Sequence, residues 1–380
     1  MKKVFLIALA ITTCFYVNAQ KKMVKAAEGS LDKGELDKAY ESIQNALNND
    51  ETKNDPNTWY VKGLIFQAIS KDTSSKYASI SENPTQEAYD SYQKAIELDP
   101  KHKINKRIDL QLNELYALAA NKAVASFQHD KFDKALNLFE LALKVETAPI
   151  FKNVVDTAMI FNCGLAANKS KNYDKAIEYF TKSIEYKYSG AATYSLLKDV
   201  YMAKQDTVKA LNTMQKALEA YPGDLVVIVD LVNFYLITNQ VKEALSYLAI
   251  AKEKEPSNSS FLFAEGTLYE KIGDVDKAAA AYLKATELDP KNFNGYYNLG
   301  VLYYNKAVKI FDKAALEKDD AKYNELQKQG DEELKKSIPY LEKAHAIDPK
   351  ESTAAETLKS LYFRLQMTDK SNALKQEMGW

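Results

Sequence analysis

Residues 273–290 read GDVDKAAAAYLKATELDP, and two earlier stretches, 207–222 (TVKALNTMQKALEAYP) and 241–256 (VKEALSYLAIAKEKEP), carry the same marks at the same places. Ala210, Ala244 and Ala278 are evenly spaced, and Ala176 lies one equal step upstream. A large apolar residue follows the last three alanines by four positions (Met214, Leu248, Tyr282), and a proline follows them by twelve (Pro222, Pro256, Pro290). A fixed period shared by small, large and helix-ending positions is the signature of a repeat array.

Each unit reads as two helices. Ala278, Ala281, Tyr282, Ala285 and Leu288 fall on one face of a helix, and Leu262, Gly266, Tyr269 and Ile272 do the same in the stretch before it. Gly273-Asp274 separates the two as a tight turn. Small residues at Gly266, Ala278 and Ala285 allow two antiparallel helices to approach closely, and Tyr269 and Tyr282 fill the space beside them. Pro290 has no N–H and clashes with a preceding turn, so it ends the second helix and fits the entry to the next.

The run Tyr296, Leu299, Gly300, Tyr303 resembles the first-helix signature of the tetratricopeptide repeat, with Tyr in place of the usual Trp, and Ala278, Tyr282 and Pro290 resemble the second-helix signature. The resemblance implies an all-α fold, a right-handed TPR solenoid of about nine antiparallel helix pairs. The first pair is expected over Lys22 to Gly34 and Glu35 to Asn48, anchored by Ala39. The second has Trp59, Gly63 and Phe66, resumes at Ala88, Tyr92, Ala95 and Pro100, and is interrupted by a polar surface loop near 70–84. A long first helix from Ile104 to Gln128 opens the third, followed by Ala135, Phe139 and Ala142; the fourth has Gly164, Ala176 and Phe180. From Ala278 to Ser337 the step is much longer than one repeat, and Pro349, twelve after Ser337, restores the register. The interruption, 306–336, is charged with sparse apolar positions and contains no proline, which predicts two helices prolonged into a projecting hairpin. Helices over Ser352–Met367 and Ser371–Met378 close the chain, the last (371–378) as a polar cap.

Met1–Ala19 is read as a signal peptide preceding the solenoid at 20–380: Lys2-Lys3, an apolar run from Val4 to Val17, and small residues before Gln20. The Asn-Ala/Gln junction resembles secreted proteins of Bacteroidota-type bacteria. Ile11-Thr12-Thr13 lacks the small residue normally found beside a lipidated cysteine, so Cys14 is not read as a lipid anchor. Without residues 1–19 the chain holds 49 basic against 52 acidic side chains, which gives no support to nucleic-acid binding. No segment of the mature chain is long and uncharged enough to span a membrane. Cys163 is then the single cysteine, excludes an internal disulfide, and is read as a small core residue.

Chemistry-bearing patterns are sparse. His102, His129 and His345 lie in different units and form no His-Glu-x-x-His arrangement, so no metal is expected. Gly29 to Gly34 has a P-loop-like gap, but Glu35 stands where lysine is needed, and no Gly-x-Ser-x-Gly elbow occurs. Neither a catalytic residue nor a cofactor is expected. Asp156-Thr157-Ala158 and Asp206-Thr207-Val208 resemble a Bacteroidota O-glycosylation pattern, and both stand where Asp and Thr serve as helix caps.

What remains is a binding face. In the repeat family the first helices line a concave groove, whose residues are not needed for stacking. The register carries that face onto Phe161, Leu165 and Asn168; Ser195, Asp199 and Met202; Val229, Asn233 and Leu236; Phe263, Thr267 and Glu270; and Tyr297, Val301 and Tyr304. This mixed apolar, aromatic and hydrogen-bonding surface suits an extended peptide or a partner helix. Asn233 and Asn298 lack the accompanying lysines with which some relatives grip a terminal carboxylate. The sequence therefore reads as an exported scaffold or adaptor for protein or peptide partners of the cell envelope, in the periplasm or at the outer membrane. The alternative is a module that binds glycans or peptidoglycan fragments through its groove tyrosines.

Overall fold

The computed structural model describes residues 22–380; the signal-peptide segment read at 1–19, with Cys14, lies outside them. Described residues form helices and turns, with no strand among them. The chain divides into two compact units at Asp206/Thr207. Unit 1 carries α1 (22–32), α2 (Leu36–Leu47), α3 (Pro56–Lys71), α4 (Pro84–Glu97), α5 (Asn105–Gln128), α6 (Phe132–Glu146), α7 (Thr157–Lys169), α8 (Tyr173–Glu185) and α9 (Ala191–Ala203). Unit 2 carries α10 (Thr207–Ala220), α11 (Leu225–Ile237), α12 (Val241–Lys254), α13 (Ser259–Lys271), α14 (Val275–Leu288), α15 (Phe293–Leu316), α16 (Asp320–Ile347), α17 (Ser352–Arg364) and α18 (Thr368–Met378).

About half of the helix starts carry side-chain caps. Asp55, Asp156, Asn172, Asp224, Asn258, Asp274, Asn292 and Asp319 each accept a hydrogen bond from a first-turn backbone N–H, which satisfies donors the helix itself leaves open. Pro290 sits in the loop between Leu288 and Phe293, and Asn292, not the proline, starts α15. Asp156 is such a cap, its Oδ1 accepting from the Met159 N–H at 2.8 Å while its Oδ2 accepts from the Tyr116 hydroxyl at 2.6 Å.

The turn between the two helices of a repeat is one device used again and again. Gly34, Asp130, Lys171, Gln205, Asn239, Gly273 and Gln366 all have φ between 57° and 76°. The next residue's N–H returns to a carbonyl five back, as in Lys131→Ser126, Asn172→Ala167, Gln240→Tyr235 and Asp274→Tyr269, at 2.8–3.0 Å. This left-handed closure caps the first helix and aims the chain into the second. Only Gly34 and Gly273 meet it with glycine. Nothing lies within 4 Å of a Cβ built at Gly273, so its cost of substitution is backbone strain alone. Gly273→Ala is therefore expected to lose about 1 kcal/mol, and Lys171→Gly to gain about 0.5–1 kcal/mol, read as opposite shifts of the urea midpoint.

Packing within a pair rests on a close approach that recurs at one spacing. A Cβ at Gly164 would meet the Phe180 ring at 2.7 Å, and one at Gly266 the Tyr282 ring at 2.5 Å. Gly63 faces the Tyr92 ring in the same way across the loop insertion, and Gly300 faces Leu341 at 2.6 Å across the later one. The residues seated against these glycines (Tyr92, Phe180, Tyr282, Leu341) are fully buried, as are the anchor alanines Ala39, Ala88, Ala135, Ala176, Ala210, Ala244 and Ala278. Cys163 is also fully buried, and burial pushes its thiol well above the ordinary range, which makes it a core residue.

Residues 306–336 fall in the extended halves of α15 and α16, joined by Glu317–Asp319. Phe311 seats against Gly330, and the Arg364 guanidinium lies 3.8 Å from the Phe311 ring centre. The segment 72–83 contains turns rather than helix. Its Tyr77 is buried and donates from its hydroxyl to the Gly34 carbonyl at 3.3 Å, so this loop is folded onto the protein rather than simply exposed.

Candidate binding surface

The residues assigned to the groove lie on first helices. Phe161, Leu165 and Asn168 are on α7, and Ser195, Asp199 and Met202 on α9, all in unit 1. Val229, Asn233 and Leu236 are on α11, Phe263, Thr267 and Glu270 on α13, and Tyr297, Val301 and Tyr304 on α15, all in unit 2. None is fully buried, although each neighbours buried positions on its own helix.

Their surroundings divide them. The Phe161 ring leans on Phe180 (5.9 Å between ring centres) and Tyr188 (5.3 Å), and Phe263 leans on Tyr282 (5.5 Å), so both aromatics lend one side to their own repeat. The Tyr282 hydroxyl donates to Glu270 Oε2 at 2.9 Å and lies 3.2 Å from Thr267 Oγ1. Thr267 and Glu270 thus help to hold α13 against α14, which corrects the expectation that groove residues take no part in stacking. The cause is that the Tyr282 ring passes over Gly266 and carries its hydroxyl out to that face. Burial raises the Tyr282 pKa well above the ordinary phenol value, keeping it a neutral donor. Asp199 pairs with Lys198 at 2.9 Å.

Tyr297, Val301 and Tyr304 do come together. They line one wall of a cleft of about 380 Å³ whose other wall is α17, with Glu356, Thr357 and Ser360. Tyr297 is stacked on Phe293 with ring centres 5.7 Å apart and planes 10° from parallel, which holds its ring in place. The α17 wall was not among the sequence-assigned positions, yet the same register reaches it. Moving Tyr297, Val301 and Tyr304 along the chain by the lengthened step that separates Ala278 from Ser337 gives Glu356, Ser360 and Phe363. Phe363, the last of these register positions, does not line the cleft and is 84% exposed. The arrangement offers aromatic faces, hydroxyls and a carboxylate for non-covalent contact.

Family models described as tetratricopeptide repeat match residues 158–189 and 201–262, and one described as TPR repeat matches 266–306. The chain is a tetratricopeptide-repeat protein. Among curated proteins, the TPR protein is similar to the interferon-induced protein with tetratricopeptide repeats 2 of Cricetulus griseus, 27% identical over 191 residues, covering 50% of this chain and 38% of that one. It is also similar to a TPR repeat-containing protein of Methanocaldococcus jannaschii, 22% identical over 255 residues, covering 57% of this chain and 45% of the relative. The TPR protein spans less than half the length of these two relatives. Among solved structures, the C-terminal part of a TPR repeat-containing protein from Cytophaga hutchinsonii superposes with a TM-score of 0.48 at 14% identity, covering 68% of this chain and 93% of that one. YrrB, described as a TPR protein with an unusual peptide-binding site, gives 0.40 at 24% identity, covering 55% and 95%.

A TPR protein is suited to protein–protein interaction, and its fold is generally non-catalytic. Among the described residues, no group of three His, Cys, Asp or Glu side chains is placed to hold a metal ion, and no described helix is long and apolar enough to cross a membrane.

Proposed function

We propose that this TPR protein is an exported, non-catalytic scaffold of the cell envelope, and that it holds a peptide segment or partner helix against the first-helix face of unit 2. The observation that carries the reading is the α15–α17 cleft, lined by Tyr297, Tyr304, Glu356 and Ser360, with exposed Phe363 about one helical turn beyond Ser360 on α17. Aromatic side chains at the centre of such a face supply most of the affinity of an interface, and the polar groups around them set register. The composition of the face also points to the partner: hydroxyls and a carboxylate favour a segment that carries N–H donors or a basic side chain. Export is supported by the Met1–Ala19 pattern.

The test is capture from an envelope extract of the source organism, followed by titration of the purified captured protein. Tyr304→Ala with Phe363→Ala is expected to weaken binding by about 30-fold or more, as the loss of two aromatic anchors would, with a smaller loss of stability, because Tyr304 is partly buried against the α15–α17 core. Equal loss of stability and binding would place these rings in the core instead. Binding of purified muropeptides or chito-oligosaccharides that disappears with Tyr297→Ala and Tyr304→Ala would favour the glycan reading. Intact-mass measurement of exported protein is expected to show a chain starting at Gln20.

A further inference from the structure

A second cavity, in unit 1, lies away from the first-helix face. It is about 480 Å³ and is walled by the end of the 72–83 loop, the first turn of α4, and side chains of α5 and α6. Three lysines face it: Lys122 from α5, and Lys134 and Lys144 from α6. On α6 the lining residues Lys134, Asn137, Leu138, Leu141 and Lys144 follow helical spacing, so one stripe of that helix forms a wall with an ammonium group at each end. A second lobe of about 190 Å³ opens on the loop side and shares Glu82, Pro84, Lys122 and Lys134 with the first.

Carboxylates at the site are Glu82 and Glu140 in the larger lobe, with Asp72 joining Glu82 in the smaller one. None of the three ammonium groups forms an ion pair among the described residues. Of the two carboxylates at the larger lobe, Glu140 is already taken, since its Oε1 and Oε2 accept from Lys175 at 2.6 and 2.8 Å and its Oε1 also accepts from the Tyr179 hydroxyl at 2.9 Å. Glu82 is an exposed residue of the loop. Lys122 is half-buried, and burial together with the Lys134 charge pushes its ammonium below the ordinary lysine range. The first turn of α4 adds to the same sign: Asn83 gives it no side-chain cap, and Thr85 and Gln86 of that turn line the cavity.

We propose that this cavity is a binding site for a small molecule carrying two or more negative charges on phosphate or carboxylate groups. Its volume is that of a small-ligand site. Such an anion would satisfy Lys134 and Lys144 at the two ends of the stripe, relieve the repulsion between Lys122 and Lys134, and occupy the positive end of α4. The insertion at 72–83 then has a purpose: its folded-down course, pinned by Tyr77, closes one side of the pocket. The concave shape and small volume select a compact anion over a polymer. The site is independent of the α15–α17 cleft and stands or falls separately from it.

The test is isothermal titration of the full chain at fixed ionic strength with pyrophosphate and with citrate. Saturable one-to-one binding of at least one of them is expected, and which one binds distinguishes phosphate from carboxylate recognition. Lys122→Met with Lys134→Met is expected to weaken it by at least about tenfold, the loss of charge-assisted hydrogen bonds. Lys134→Met alone, at an exposed position, is expected to bind more weakly with an unchanged melting curve. Lys152→Met, in the loop before α7, is the control for net charge and is expected to bind like wild type. Absence of saturable binding with both probes, equal affinity in the double variant, or a matching loss in Lys152→Met would each overturn the proposal.

Discussion

Gly266→Val is expected to destabilise unit 2 by about 3 kcal/mol, at the upper end of what overpacking a core costs. A Cβ at this position would sit 2.5–2.9 Å from three atoms of the Tyr282 ring, closer than carbon atoms tolerate. The ring has no room to retreat, because Tyr282 is fully buried and its hydroxyl is tethered to Glu270 and Thr267. Valine's own helix propensity is slightly better than glycine's, so a loss measures the contact and not the helix. The protein supplies its own control: the equivalent positions one repeat upstream hold Val232 and Leu248, both buried. Gly266→Val combined with Tyr282→Leu recreates that pair and is expected to recover most of the loss, a non-additivity read directly from urea unfolding of the four chains in the cycle. Additive losses would mean that the ring and the glycine are not partners.

Ala244→Arg is expected to cost more than about 4 kcal/mol, because it adds both volume and an unpaired charge to a closed site. Ala244 has no exposed surface and lies on the buried face of α12 with Leu248 and Ala251. A guanidinium there must either give up its water or force α12 off its neighbour. Ala244→Met separates the two causes. Methionine has similar length without charge and is expected to lose about 1–3 kcal/mol, the overpacking part alone. Hydrogen exchange should show the loss first in α11 and α12, since a repeat touches only its neighbours. A chain that tolerated arginine at 244 would have its anchor face in another register.

That register was legible because few residue types can fill its slots. A buried alanine once per repeat, a large residue four later and a glycine on the helix before are each dictated by how closely two helices approach, so they show in one sequence. Other features left no such trace. The left-handed turn residues are glycine only at Gly34 and Gly273; at Lys171, Gln205 and Gln366 the fold imposes a conformation that the residue type does not announce. In the glycine slot one repeat after Gly164 stands Lys198, only 8% exposed and paired with Asp199. Gln67 was silent in sequence, yet its side chain accepts from the buried Tyr92 hydroxyl at 2.8 Å and donates to Gln111 and Glu114. The groove positions were assigned by counting, and counting also gives Glu356, Ser360 and Phe363 once the late insertion is allowed for. It could not show that Thr267 and Glu270 hold a tyrosine hydroxyl, because that depends on where a ring from the next helix emerges. The lysine-lined cavity is hidden for the same reason: Glu82, Lys122 and Lys144 are far apart in the chain and share no period.

The long pair α15 and α16 has a meaning for how such a chain can change over generations. Gly300 and Leu341 are much further apart in the chain than Gly266 and Tyr282, yet they meet as closely. The added segment therefore leaves the phase of the stack intact. Without residues 306–330, Glu332 would occupy the slot of Gly273, Glu333 that of the capping Asp274 and Ser337 that of the anchor Ala278, leaving a unit of ordinary repeat length. The arm is a cassette, free to lengthen, shorten or alter its charges under selection while the rest of the stack keeps its rhythm.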